Sequence, residues 1–245
     1  MQLCAAARSD QGRRRSANED TYALAPELGL YLVADGMGGH RAGQVASGLA
    51  ARAASATLRT LLEERRSPAW RLRACVAAAN AEILASSRAK PELAGMGTTI
   101  VALLADGGRV AVAHVGDSRA YRIRGGAIER LNNDHTLVGE LVRRGEISER
   151  AAASHPQRHV LLRALGVRRE VEPDLQDLAP EPGDIYLLCS DGLTGHVGDA
   201  DIAGLVAGSP DLDAACERLI DLANERGGED NITVLLVRCE GDAKG

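Results

Sequence analysis

Apolar positions change their period several times along the chain, and each change marks an element. Residues 2–8 and 21–34 alternate or run apolar, as strands do. From Ala42 to about Glu64, and from Ala69 to about Arg88, alanines and leucines recur at helical spacing. Pro68 stands where the second helix would begin and Pro91 where it would stop. "TTIVALLAD", "RVAVAHVGDSRAYRIR" and "AIERL" follow, broken by Gly-Gly or Asp-Gly-Gly, the pattern of a meander of antiparallel neighbours.

Residues 136–165 predict short helical pieces. Strands are expected at 170–177 and 184–190, helices near 199–207 and 211–226, and a last strand at "NITVLLVRC". Strands and helices come in segregated runs, so antiparallel sheets with helices packed outside are expected, not a parallel βαβ fold. The predicted class is α+β, a four-layer α-β-β-α sandwich of two antiparallel sheets flanked by helix pairs.

The 245 residues allow one large domain or two tight ones, with no repeat, low-complexity tract or long linker between them. With no Phe and a single Trp, the core must be aliphatic. A net charge of -5 opposes a general nucleic-acid or membrane-surface binder, which needs a basic face. The short run "GRRRS" sits beside "NED" and reads as a local solvated patch. Cys4, Cys75, Cys189, Cys216 and Cys239 form no C-x-x-C, and three lie within apolar runs, as reduced thiols of a cytoplasmic protein do. "MQLCAAARSD" lacks the basic start and apolar stretch of a signal peptide, and nothing reaches the length of a membrane span. A cytoplasmic location is expected.

Two stretches carry the candidate chemistry. "GLYLVADGMGGH" and "DIYLLCSDGLTGH" each run apolar and then stop on Asp-Gly. A turn is the ordinary reading of such a pair. A hairpin would need a return strand, yet "HRAGQVASGLAARAASATL" and "GDADIAGLVAG" are more helical than extended. Asp230 in "GGEDNITVLLV" precedes a strand, and Glu19 and Asp20 in "NEDTYAL" precede another. A sheet can therefore converge Asp20, Asp35, Asp191 and Asp230 from four strand ends. Without a matching His or Cys cluster, these carboxylates suit a hard cation, Mg²⁺ or Mn²⁺ rather than Zn²⁺. Gly36 lets the backbone approach, so that its carbonyl can join Asp35 on one ion. Two such ions sharing a water would lower its pKa toward neutrality and supply hydroxide without a Ser, Cys or His nucleophile. One guanidinium from Arg13, Arg14 or Arg15 would suit a phosphate.

The ordered set "SDQGRRRSANEDTY", "LVADGMGGHRAGQVAS", "GMGTTIVALL", "AHVGDSRAYRIR", "DHTLVGELVRRGEIS", "HPQRHVLLRALG", "LLCSDGLTGHV" and "GGEDNITVLLV" resembles the bacterial PP2C-type metal-dependent protein serine/threonine phosphatases. The match runs over roughly residues 3–238. It implies a single phosphatase domain over residues 1–245, with a flap subregion at about 135–165 that governs substrate access. By motif, Asp35 would bridge two Mn²⁺ or Mg²⁺ ions, the Gly36 carbonyl would bind one, and Asp191 and Asp230 would complete the other. Glu19 and Asp20 would hold or orient water on the ions, with Glu19 also a candidate direct ligand. Arg15 would grip the substrate phosphate. Bacterial members often show a third ion, for which Asp117 and Asp191 would be the ligands.

Met37 replaces the His that eukaryotic members carry as a candidate general acid, so that role stays open. His40 is nearby, with a structural or water-orienting role expected. His114, His155, His159 and His196 read as packing or surface residues, although some relatives place a third-metal contact at the position of His159. Gly95, Gly97 and Thr98 in "GMGTT" read as a tight turn into a core strand, because no Lys-Ser/Thr follows.

The resemblance implies hydrolysis of phosphoserine and phosphothreonine esters by a metal-bridging hydroxide. Phosphoproteins would be substrates, a Ser/Thr kinase the opposing enzyme, and the chain a monomer. Alternatives are a phosphatase of a partner-switching regulator and a non-catalytic pseudophosphatase scaffold. No cysteine is followed six residues later by Arg, and G-D-x-H-G is absent, which removes two other phosphatase classes. "DADIA" and "DLDAA" sit at helix starts, where acidic caps belong.

Overall fold

Along Leu30–Met37, Tyr31 and Val33 enter one apolar core, while Leu30, Leu32 and Ala34 enter another. A strand has a side-chain period of two, so it does this only when a layer covers each face. The structure, a computed structural model, describes residues 2–38 and 41–241; His40 lies outside them.

In chain order the strands are β1 (Gln2–Asp10), β2 (Asp20–Ala25), β3 (Leu30–Met37), β4 (Gly97–Thr98), β5 (Ile100–Asp106), β6 (Arg109–Val115), β7 (Arg119–Arg124), β8 (Ala127–Arg130), β9 (Asp174–Leu178), β10 (Ile185–Cys189) and β11 (Ile232–Glu240). The helices are α1 (Arg41–Thr60), α2 (Pro68–Ala89), α3 (Leu137–Arg143), α4 (Glu149–Ala153), α5 (Asp191–Thr194), α6 (Asp199–Ala207) and α7 (Leu212–Glu225). One sheet has the order β1-β11-β10-β7-β8 and the other β2-β3-β5-β6-β9, with β4 beside β3. Every pairing is antiparallel.

Between the sheets lies a core of Tyr31, Val33, Val101, Leu103, Val112, Tyr186, Leu188, Leu235 and Val237. The outer face of the β3 sheet packs on α1 and α2 through alanines, Leu58, Leu72, Val76 and Ile83. The outer face of the β11 sheet packs on α6 and α7 through Ile202, Val206, Leu219 and Ala223. The expected four layers are thus present, with tyrosines filling space that phenylalanine would otherwise take. Cys75, Cys189, Cys216 and Cys239 are buried free thiols, and Cys4 is exposed.

Both long helices lie close to their predicted spans. Ser67 caps α2 by accepting from the Trp70 amide (3.2 Å), and Pro68 occupies the first turn, where its missing N–H matters least. Three expectations change. Residues 21–34 divide into β2 and β3 around a short turn of 3-10 helix at Pro26–Leu28. "RVAVAHVGDSRAYRIR" is not a meander hairpin, because β6 and β7 belong to opposite sheets. Gly116 (φ 111°) lets the chain step between the layers there, and the step carries Asp117. Finally, Asp191 opens α5, a helix too short to show periodicity.

Asn80 of α2 fixes the return from the flap region. It is buried, donates to the carbonyls of Arg168 (3.0 Å) and Arg169 (3.2 Å), and accepts from the Gly166 amide (2.8 Å). Truncation strands three backbone groups. Asn80→Ala should lower the unfolding free energy by about 2 kcal/mol, read from urea denaturation.

Candidate metal centre and phosphate clamp

Asp20 opens β2 directly opposite Asp35 of β3 in the strand register. Like charges in that position repel; Asp20 is buried and Asp35 half-buried, and both carboxyls are desolvated. Asp191 is close enough to Asp35 for the two to share a hydrogen bond, and the charges of Asp117 and Asp230 also reach Asp35. The sandwich therefore converges Asp20, Asp35, Asp117, Asp191 and Asp230 at one end. Glu19 precedes Asp20, and its carboxylate lies against Gly43 of α1.

The local structure explains how each group is held. Asp20 Oδ2 accepts from the hydroxyls of Ser190 and Thr233, at 2.7 Å each. These two residues join the strand ends of β10 and β11, where the Ser190 amide donates to the Thr233 carbonyl (3.1 Å). Asn231 is the hub beside Asp230. Its amide group donates to the carbonyls of Gln11 (2.8 Å) and Ala17 (2.9 Å), its side-chain oxygen accepts from the Glu19 amide (2.8 Å), and its own N–H donates to Asp230 Oδ1 (2.8 Å). The loop bearing Arg15 is thereby tied to the loop bearing Asp230. Thr98 and Thr99 do the same for Asp35: the Thr98 hydroxyl donates to the Asp35 carbonyl (2.8 Å), and the Asp35 amide donates to Thr99 Oγ1 (3.0 Å).

The glycines after both aspartates are required by close packing and not by turn geometry. Neither has a positive φ. A Cβ on Gly36 would overlap the carbonyl of Gly43, and one on Gly192 would overlap the carbonyl of Asn231. That is why two Asp-Gly pairs end two strands in a chain where neither makes a hairpin.

Electrostatics mark the site as short of positive charge. Burial pushes Asp20 up to about 7, against the pull of its hydroxyl donors. Burial and then the charge of Asp20 raise Asp35 well above the carboxylate range. Asp117 is raised by burial and by Asp191, and Asp191 by burial and by Asp230. Asp20 Oδ1 and Asp191 Oδ1 are buried with no hydrogen-bond partner among the described residues. Orphaned oxygens on desolvated acids are what a hard divalent ion satisfies, and the all-oxygen donor set fits Mg²⁺ or Mn²⁺. Arg15 supplies the nearby organic cation, 2.6 Å from Asp230 Oδ2 and within the field of Asp35 and Asp191.

All the acidic residues expected from sequence thus gather here, with Arg15 at the rim. Met37 pairs with Gly97, and its side chain lies against that glycine. His159 extends from the flap to 4.0 Å from Asp191, closer to the chemistry than a surface reading gives. His155 and His196 accept only from nearby backbone amides. Asn231, Ser190, Thr233, Thr99 and Gly43 carry no chemical pattern of their own in the sequence, and Thr98 reads there only as part of a turn. Their one signal is adjacency to the motifs, as in "CSDG" and "EDNIT".

The family model for protein phosphatase 2C matches residues 11–236, and the chain belongs to that family. It is 41% identical to the serine/threonine phosphatase stp of Listeria monocytogenes over 244 residues, 97% of this chain and 96% of that protein. The crystal structure of the Mycobacterium tuberculosis serine/threonine phosphatase PstP/Ppp superposes with a TM-score of 0.89 at 42% identity, covering 98% of this chain and 100% of that one. A PstP catalytic domain solved with two manganese ions superposes at 0.86 with 39% identity, covering 98% of this chain and 99% of that one.

A stability signature follows from the raised acids. Their folded forms hold protons that the unfolded chain releases near its ordinary carboxylate pKa, so the stability they confer is complete at low pH. It is lost as pH rises from that value through about 7, the folded value of Asp20. Ion-free protein should therefore melt at lower temperature at pH 8 than at pH 5.5, and Mn²⁺ should raise the melting temperature more at pH 8. Differential scanning calorimetry with and without chelator checks both signs.

Proposed function

We propose that this chain is a metal-dependent protein serine/threonine phosphatase that transfers the phosphoryl group of phosphoserine or phosphothreonine directly to water. The observation that carries the reading is the desolvated cross-strand pair Asp20–Asp35, with Asp191 against it and two orphaned carboxylate oxygens. Asp35, the Gly36 carbonyl, Asp191 and Asp230 would hold two divalent ions, Mn²⁺ or Mg²⁺, and Asp117 with Asp191 would hold a third. When bound, such ions lower the pKa of a coordinated water and offset the charge that builds on a phosphoryl group.

The chain's own residues do the rest. Glu19 and Asp20 orient water in this reading, with Glu19 also a candidate direct ligand. Arg15 forks onto two phosphate oxygens and fixes the phosphorus in line with the attacking oxygen. As the new O–P bond forms, the bond to the serine or threonine oxygen breaks, and that oxygen takes a proton from water at the site. No protein atom carries the phosphoryl group.

The same reading takes residues 1–245 as one catalytic unit, with 135–165 as an access flap. Substrates are phosphoproteins, the opposing enzyme is a Ser/Thr kinase, and the protein works as a cytoplasmic monomer. No helix among the described residues is long and apolar enough to cross a membrane. The complete set Asp35, Asp191 and Asp230 speaks against a pseudophosphatase scaffold.

Hydrolysis of a phosphothreonine peptide should vanish on chelation and return with Mn²⁺ or Mg²⁺. Asp35→Ala and Asp191→Ala should each lower kcat by about a hundredfold or more while the fold is kept. Activity that survives exhaustive chelation would overturn the reading. Arg15→Ala should act differently, raising KM for the phosphopeptide more than it lowers kcat. Steady-state kinetics on the two sets of variants separates the roles.

A further inference from the structure

His135 sits where the flap begins, and four segments meet on it. Its backbone carbonyl accepts from the Leu162 amide (2.7 Å), while Leu137 donates to the Val160 carbonyl (2.8 Å), so both ends of the flap close at this point. Its backbone N–H donates to the Gly116 carbonyl (2.8 Å), and its Nδ1 accepts from the Gly116 amide (3.2 Å). One residue thus grips both polar groups of the residue that precedes Asp117. With Nδ1 an acceptor, the proton of the neutral ring is on Nε2, which faces Asp174 Oδ2 at 3.2 Å; Arg163 Nη1, also 3.2 Å from Nε2, gives its hydrogen to Oδ1 of the same carboxylate (2.7 Å).

The ring has little freedom. It lies 4.1 Å, centroid to centroid, from the ring of buried His114. Burial pushes His114 down to about 4 and also lowers His135, so two neutral imidazoles stack without repulsion. Arg163, from the returning end of the flap, pairs with Asp174 Oδ1 (2.7 Å) and holds the carboxylate that orients Nε2. On its other side Gly116 has no room to shift, because a Cβ there would overlap the side chain of Thr99. Thr99 in turn bonds the hydroxyl of Ser118 (2.7 Å), the residue after Asp117.

His114, His135 and Asp174 lie close enough together to suggest a cation site. The hydrogen bonds oppose it: both nitrogens of His135 are committed, and Arg163 already neutralises Asp174. A different role fits every contact.

We propose that His135 is a positioning residue, whose Nδ1 and backbone N–H clamp Gly116 so that the Asp117 carboxylate and the root of the flap are held as one unit. The proposal rests on the reading of Asp117 as a ligand of the third ion. Its consequence is that flap placement and affinity for that ion change together, without His135 touching ion or substrate.

Side-chain geometry supplies the test. The amide oxygen of Asn falls near the Nδ1 position and keeps an acceptor for Gly116, whereas Gln reaches the Nε2 position and loses it. Mn²⁺ binding isotherms on wild type, His135→Asn, His135→Gln and Asp117→Ala are the measurement. His135→Gln should weaken the weakest-bound ion about tenfold, the range seen when a partner of a ligand is lost. The two tighter ions should be unchanged, and His135→Asn should stay within about twofold of wild type. If Asp117→Ala loses that ion and His135→Gln does not, the clamp is wrong. If Asp117→Ala binds every ion as wild type does, the ligand reading itself fails and the clamp with it. Imidazole ¹⁵N NMR of the wild-type protein gives an answer independent of any variant. Nε2–H with an accepting Nδ1 supports the proposal, and an Nδ1–H tautomer overturns it.

Discussion

Asp20 and Asp35 are paired across neighbouring strands, Asp20 buried and Asp35 half-buried, with the carboxyl of Asp191 against Asp35. Elsewhere the protein meets such a burden with an arginine. Asp184 is fully buried, and Arg124 caps it through Nε at 2.6 Å and Nη2 at 2.7 Å. At the strand ends Arg15 pairs with Asp230 at the rim (2.6 Å), while among the described residues Asp20 receives the hydroxyls of Ser190 and Thr233. Neutral donors soften the repulsion without cancelling charge. The missing positive charge must come from something that can arrive and bind oxygen, and this requirement shapes the rest of the site.

The sandwich meets that requirement by rigidity. Strand ends from both sheets supply Asp20, Asp35 and Asp230, and their positions follow from register and from two packed cores that leave little room to shift. The connections are then stitched to the frame. Asn231 binds the loop carrying Arg15, Ser47 of α1 donates to the Glu19 carbonyl (2.6 Å), and Thr98 and Thr99 hold Asp35 by its backbone. Charged side chains are thus fixed chiefly through neighbours that carry no charge. Such hydroxyls and amides are easy to overlook, although the constellation depends on them.

A second feature is the crossing between sheets at Gly116–Ser118. A meander would have placed Asp117 in an edge turn facing water. Because β6 and β7 belong to opposite layers, Asp117 is carried into the end of the sandwich instead, near Asp191. The segment 135–165 is bonded to that crossing through His135, and its far end returns to β4, where Leu165 and Thr98 exchange backbone bonds of 3.1 and 2.8 Å. Thr98 also holds the Asp35 carbonyl. The 135–165 segment and the carboxylate cluster therefore share anchors at two points.

The chain by itself determined the elements and the ligand types. Periodicity placed α1, α2, α7 and the apolar strands. Segregated runs gave the sandwich, and two strands ending in Asp-Gly without a return strand pointed to carboxylate chemistry. Local pattern reaches that far because burial on one face or two is written in consecutive residues. The β6–β7 split escaped it: Arg109–Arg124 reads the same whether its halves pair or part, and only packing between layers selects. The roles of Asn231, Thr99 and His135 were equally hidden, since each acts on a residue distant in sequence or through its backbone. Register decided the rest, setting Asp20 opposite Asp35, and register is a property of paired strands that a single strand's sequence does not contain.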